Sequence, residues 1–179
     1  MSWGAKITGT EGLAPEMQAA VAEGTQVGLE NLGTKGAEIV QENIRTPFGS
    51  QPPAVAFGNL AGSVISNFVR EATMMREVIS VGPSLGADVY AAPVETGTVP
   101  HMPPPSALIP WVMKKFGVDD EKQALSVAFA VGKVISKRGT QGHFMFERAL
   151  DALEPLAAPA LEASIAQALT AHGFTGGTA

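Results

Sequence analysis

Three histidines, His101, His143 and His172, and one acid, Glu147, are the first residues to test for chemistry. His143 and Glu147 are four apart, so a helix would carry both on one face, as a metal site can use. Together with His101 they make up the ligand set of a metal-dependent hydrolase, the enzyme alternative for this chain. One His–Glu pair is two ligands short of a zinc site, and His101 sits among prolines. The simpler roles are a helix start for His143, a solvated acid for Glu147 and a cation near a helix C-terminus for His172.

Other chemistries fare worse. Gly28-Leu29-Glu30-Asn31-Leu32-Gly33-Thr34-Lys35 has the outline of a phosphate loop, but that motif needs Gly-Lys followed by Ser or Thr. Here the last two residues are swapped, no strand precedes, and the segment falls inside a helix. No serine stands in a strand–elbow–helix context, and Gly49-Ser50 and Gly62-Ser63 read as turn dipeptides. The chain has no cysteine, which excludes disulfides, thiolate nucleophiles and cysteine zinc sites. The basic residues are scattered, paired only at Lys114-Lys115 and Lys137-Arg138, and no helix starts with the basic residues of a recognition helix. The expectation is a protein that is not an enzyme, with no catalytic residue, cofactor or metal.

Composition points the same way. Of 179 residues, 12 are Lys or Arg and 17 Asp or Glu, a net charge of −5. An acidic balance is a poor fit for gripping nucleic acid phosphates. Only 16% of residues are charged while 45% are hydrophobic. That ratio excludes a solvated disordered chain and suggests that a partner covers much of the surface. The length predicts one domain. Neither a signal-peptide pattern nor a membrane-spanning run is visible, so folding in a cytoplasm is expected.

The elements that must position these residues follow from periodicity and punctuation. An N-terminal arm over 1–14 precedes a helix opened by Pro15-Glu16 and running to about Arg45. Gly24, Gly28, Gly33 and Gly36 lie within it, each unfavourable by about 1 kcal/mol relative to Ala; close approach of another backbone, in an assembly, is the reason expected for them. Residues 46–57 form a proline-rich loop. Ser63–Arg70 and Arg76–Val81 are β-branched runs that predict a hairpin, with Ala87–Tyr90 as a third short strand and Pro93–Gly97 as a turn. Pro100 to Pro110 holds five prolines and predicts neither helix nor strand. Helices are expected over Ser106–Phe116, capped by Gly117, and from Asp119-Asp120 to Lys137, stopped by Gly139. The second is apolar over most of its circumference, through Leu125, Ala128, Phe129, Gly132 and Ile135 and through Ala124, Val127, Val131 and Val134. Such a helix must be covered on two sides, by its own chain or by a neighbouring subunit. Phe144 to Ala171 predicts helix with a kink or break at Pro155 and Pro159, Leu161, Ile165 and Leu169 facing inward. A flexible tail closes the chain over 172–179. The class predicted is α+β, a small antiparallel sheet packed by a long N-terminal helix and C-terminal helices.

The order of segments carries a resemblance. Gly58-Asn59-Leu60-Ala61-Gly62-Ser63-Val64 leads into the hairpin, and Val81-Gly82-Pro83 ends it. Tyr90-Ala91 and Val94-Glu95-Thr96-Gly97-Thr98 follow, then Arg138-Gly139-Thr140 and Phe144-Met145-Phe146-Glu147-Arg148-Ala149-Leu150 before a final helix. This ordered set, over about residues 16–170, resembles the tail-completion or head–tail connector (neck) proteins of long-tailed bacteriophages. Ala56-Phe57 stands where that pattern usually has an acid and a threonine. Residues 99–141 insert two helices that small members lack.

The resemblance implies a structural virion protein, made in the host cytoplasm and assembled into a ring, six copies by expectation, at the head–tail joint. Its partners would be copies of itself and the neighbouring stopper, tail-tube or terminator proteins. DNA would pass through the ring without sequence-specific binding, and no membrane is involved. Within the same class the alternatives are a tail-terminator or a head-side adaptor ring. Glu95, Gly97 and Thr98 would be turn and packing residues, Gly97 with a positive φ. Gly58, Leu60, Ser63, Tyr90, Phe129, Val131 and Phe144 complete the assembly candidates. A closed ring needs a heterologous interface, for which an open hairpin edge and the doubly apolar helix are the surfaces on offer.

Overall fold

The structure, a computed structural model, describes residues 2–6, 12–49, 54, 59–71, 76–84 and 86–174. Its class is α+β. The chain sorts into two compact units. The first comprises Met1–Val40, Val64–Gly82 and Phe146–Ala179, the second Gln41–Ser63 and Pro83–Met145. The expected insertion thus lies in the second unit.

In the first unit the main element is α1, Pro15–Arg45, with Pro at its first position and Glu16 in its first turn. Its buried positions within this unit are Ala20, Gly24, Thr25, Gly28, Leu29, Leu32, Gly33, Gly36, Ala37 and Val40, the 3–4 spacing of one helical face. The glycines do not break the helix. A Cβ on Gly24 would stand 2.5 Å from the Ile165 Cα, and one on Gly28 2.9 Å from the Leu161 side chain. A Cβ on Gly33 would run into Ile79. The close approach expected in an assembly is therefore made within the chain at these positions, and packing outweighs the propensity cost. The partner helix is α6, Met145–Ala171, of which Phe146 onward belongs to this unit. Ala149, Leu153 and Ala168 are its buried residues, with Leu161, Ile165 and Leu169 partly covered. The prolines predict a kink or a break, yet α6 is one helix. Pro155 and Pro159 both face outward, where water can reach the carbonyls they leave unpaired.

The sheet of this unit has the order β1-β3-β2, with β2 Val64–Glu71 and β3 Arg76–Pro83 as the expected hairpin. The third strand is not Ala87–Tyr90. It is β1, Ser2–Lys6, antiparallel to β3 with Ser2 opposite Ser80 and Lys6 opposite Arg76. The expected arm is thus a strand in part, and its glycine content hid it. Along β3 the alternation puts Glu77, Ile79 and Val81 inside.

In the second unit α2, Asn59–Ser63, is a single turn, and Ser63 Oγ donates to the Leu60 carbonyl at 2.8 Å. Residues 87–96, expected as strand and turn, form α3, Asp88–Thr96. Val89 and Tyr90 suggest a strand, but Ala91 N–H bonds back four residues to the Ala87 carbonyl at 3.2 Å, and the two alanines favour helix. Gly97–Thr98 is then β4, paired with β5, Thr140–Gln141. Between them stand α4, Pro105–Phe116, and α5, Glu121–Arg138. The proline segment is helical from Pro105 on, because Pro105 occupies the first position, where no N–H is required, and Pro110 costs one bond. Gly117, at φ 63°, caps α4 as expected. Asp120 caps α5 by accepting from Lys122 N at 2.7 Å and Gln123 N at 3.3 Å. Val112, Ala124 and Ala128 form the fully buried seam of this helical hairpin, flanked by Leu108, Ile109, Trp111, Met113, Val118 and Val127.

Candidate functional site

Many of the motif residues form a clasp at the base of the α4–α5 hairpin. Gly97 lies opposite Gln141, and Thr98 opposite Thr140. The Thr98 and Thr140 hydroxyls are 3.0 Å apart, and Thr140 N–H donates to Thr98 Oγ1 at 3.2 Å. His143 N–H donates to the Val94 carbonyl at 2.8 Å and Phe144 N–H to that of Glu95 at 3.0 Å.

The fit is close because glycines hold the crossing points. Gly97 has φ 76° and ψ −172°, a region reserved for glycine, so the expected positive φ is present. A Cβ on it would strike the Thr140 carbonyl; one on Gly139 would strike Thr98, and one on Gly142 would strike Glu95. Phe144 precedes α6 rather than opening it, at φ 49°, an uncommon conformation for a bulky residue. Its ring packs edge-on against Phe48, centroids 6.0 Å apart. The Asn43 amide donates to the Met145 carbonyl at 2.9 Å. Sequence reasoning missed Asn43, whose one signal was a polar residue on the apolar face of α1.

Above the clasp, α5 is covered on one side. Ala124, Ala128 and Gly132 are buried, whereas Leu125, Phe129 and Val134 are 44%, 48% and 55% exposed. Val131 is half-buried. The Lys133 ammonium lies 5.2 Å from the centre of the Phe129 ring. Val99, Met102 and Phe116 are exposed on the same hairpin and its approach. Half of the twelve exposed large hydrophobics among the described residues therefore fall within residues 99–138.

A second surface lies on the first unit. β1 takes the outer edge of β3, so among the described residues the expected open hairpin edge is left at β2, with Ile65 and Val69 exposed. On the other face of the hairpin, Arg70 Nε and Nη2 contact Glu77 Oε1 at 2.8 and 2.7 Å. Arg70 also donates to Gln26 Oε1 at 3.2 Å, and Gln26 to Glu30 at 2.9 Å. Sequence reasoning missed this network, since nothing in the spacing of Arg70 and Glu77 marks the acid as buried.

The remaining candidates are dispersed. Gly58 lies outside the described residues, as does the Tyr90 side chain, although Tyr90 backbone belongs to α3. Leu60 is half-buried in α2. His101 Nδ1 contacts the Val99 carbonyl at 3.0 Å, a local turn contact. No group of three or more His, Cys, Asp or Glu among the described residues could hold a metal ion. His172 pairs with Glu23 at 2.8 Å, tying the end of α6 to α1. The near-phosphate-loop segment is inside α1, where Lys35 pairs with Glu38 at 3.3 Å. No helix among the described residues is long and apolar enough to cross a membrane. Comparison with family models, with curated proteins and with solved structures returned no match.

Proposed function

We propose that this chain is a structural protein of a long-tailed bacteriophage, assembled as a ring at the joint between capsid neck and tail. The observation that carries the reading is the set of large apolar side chains left exposed on α5, Leu125 and Phe129 on one flank of its buried line and Val134 on the other. Large apolar groups concentrated on one element mark a binding surface rather than random exposure. The open edge of β2 adds backbone groups through which a neighbouring strand could extend the sheet. Clasp residues Glu95, Gly97, Thr98, Gly139 and Thr140 hold the hairpin that presents the α5 face. A net charge of −5 would let DNA pass a central channel with few phosphates neutralised.

The test is deletion of the gene from the genome that carries it, followed by negative-stain electron microscopy of the lysate. The expected result is DNA-filled heads lying apart from finished tails, with joining restored from a plasmid copy. Intact, infectious particles would overturn the reading. Tails of irregular length would favour a terminator ring, and empty heads an adaptor.

A further inference from the structure

We propose that the outer strip of α5 docks antiparallel on the outer strip of α6 of a second copy of this chain. This deepens the assembly reading above and rests on it for ring closure.

The charges are unevenly divided. Residues 99–141 hold six basic residues (Lys114, Lys115, Lys122, Lys133, Lys137, Arg138) and three acids (Asp119, Asp120, Glu121), a net +3. The rest of the chain then has 6 basic and 14 acidic residues, a net −8, and the two sum to −5. On α5, Lys122, Lys133 and Lys137 are exposed along one strip with Leu125 and Phe129 beside them. On α6, Glu147, Asp151, Glu154 and Glu162 are exposed along another, with Leu150 40% exposed among them. Among the described residues, Lys122, Lys133, Lys137, Asp151 and Glu162 make no ion pair within the chain.

The spacings match in reverse. The lysines at 122, 133 and 137 are separated by eleven and four residues, and the acids at 147, 151 and 162 by four and eleven. Eleven residues are three helical turns, about 16 Å, so each set stays on one face. An antiparallel register that sets Lys133 against Asp151 also sets Lys137 against Glu147 and Lys122 against Glu162. It brings Ser126 and Ala158, both exposed and each near the midline of its strip, opposite one another. Such an interface uses different surfaces on the two copies, the heterologous kind from which rings close. The opposed potentials select this partner face and disfavour pairing α5 with α5.

A chain without cysteine allows a direct test. Ser126→Cys and Ala158→Cys variants of the full chain, carrying different tags, are mixed and oxidised mildly, while wild-type assembly is followed by sedimentation. The mixed disulfide should predominate over either homodisulfide and fade at about 1 M salt, where screening acts within about 3 Å. Lys133→Glu with Lys137→Glu on the Ser126→Cys chain should cut the mixed product about tenfold. Glu147→Lys with Asp151→Lys on the Ala158→Cys chain should restore it. Predominance of the Ser126→Cys homodisulfide overturns the pairing in favour of a two-fold contact. No cross-link while the wild type assembles also overturns it and leaves the ring reading standing. A wild-type chain that stays monomeric at about 1 mM overturns the pairing too, and the deletion phenotype then judges the ring reading separately.

Discussion

At the scale of single residues, three glycines and one phenylalanine define the clasp. Gly97 combines a glycine-only conformation with contact against the Thr140 carbonyl. Gly97→Ala should cost on the order of 3 kcal/mol, read as a lower urea midpoint with unchanged slope. Phe144 holds φ 49° with a side chain attached. Both Phe144→Ala and Phe144→Gly lose the packing on Phe48, but only glycine relieves the backbone. The glycine variant should therefore be about 1 kcal/mol more stable than the alanine variant by thermal unfolding, the reverse of the order usual in helices. Glu77, 6% exposed, depends on Arg70. Arg70→Met should destabilise by about 1–2 kcal/mol, because water screens the half-exposed guanidinium, and adding Glu77→Met should recover most of it. The positive φ of Gly97 was legible because a Glu-Thr-Gly-Thr turn calls for one. The tight seat of Gly139 on Thr98 was not. It depends on a pairing between residues 41 apart, and a helix stop signal says nothing about what lies across from it.

At the scale of elements, legibility followed local signals. α1 and α5 carry Pro15, Asp120 and Gly139 at their ends, and their bounds agree with the reading to within two residues. β1 and α3 were misread because each is decided by its surroundings. β1 is glycine-containing and becomes a strand by pairing with β3. α3 has strand-favouring Val89 and Tyr90 inside a helix set by Ala87, Ala91 and Ala92. The glycines of α1 were legible as sites of close approach, but not which backbone approaches. Gly24→Ala tests the answer. In an uncrowded helix that change stabilises by about 1 kcal/mol. Here the Cβ would meet α6 backbone at 2.5 Å, so destabilisation of about 1–3 kcal/mol is expected from denaturant titration.

At the scale of the whole molecule, a chain with net charge −5 carries a net +3 over residues 99–141, and half of its exposed large hydrophobics among the described residues fall within 99–138. The sequence shows the doubly apolar α5 plainly. It does not show which line of residues the chain itself covers, because that depends on Val112 of α4 meeting Ala124 and Ala128, one from each stripe. With that line buried, Leu125, Phe129 and Val134 stay exposed on its flanks. The central claim is that this chain acts by assembly at the head–tail joint. Its most direct measurement is the position of the chain in purified particles, by gold-labelled antibody and electron microscopy. The account predicts one focus of label per particle, at the joint. Label along the tail tube, spread over the capsid, or missing from particles would contradict it.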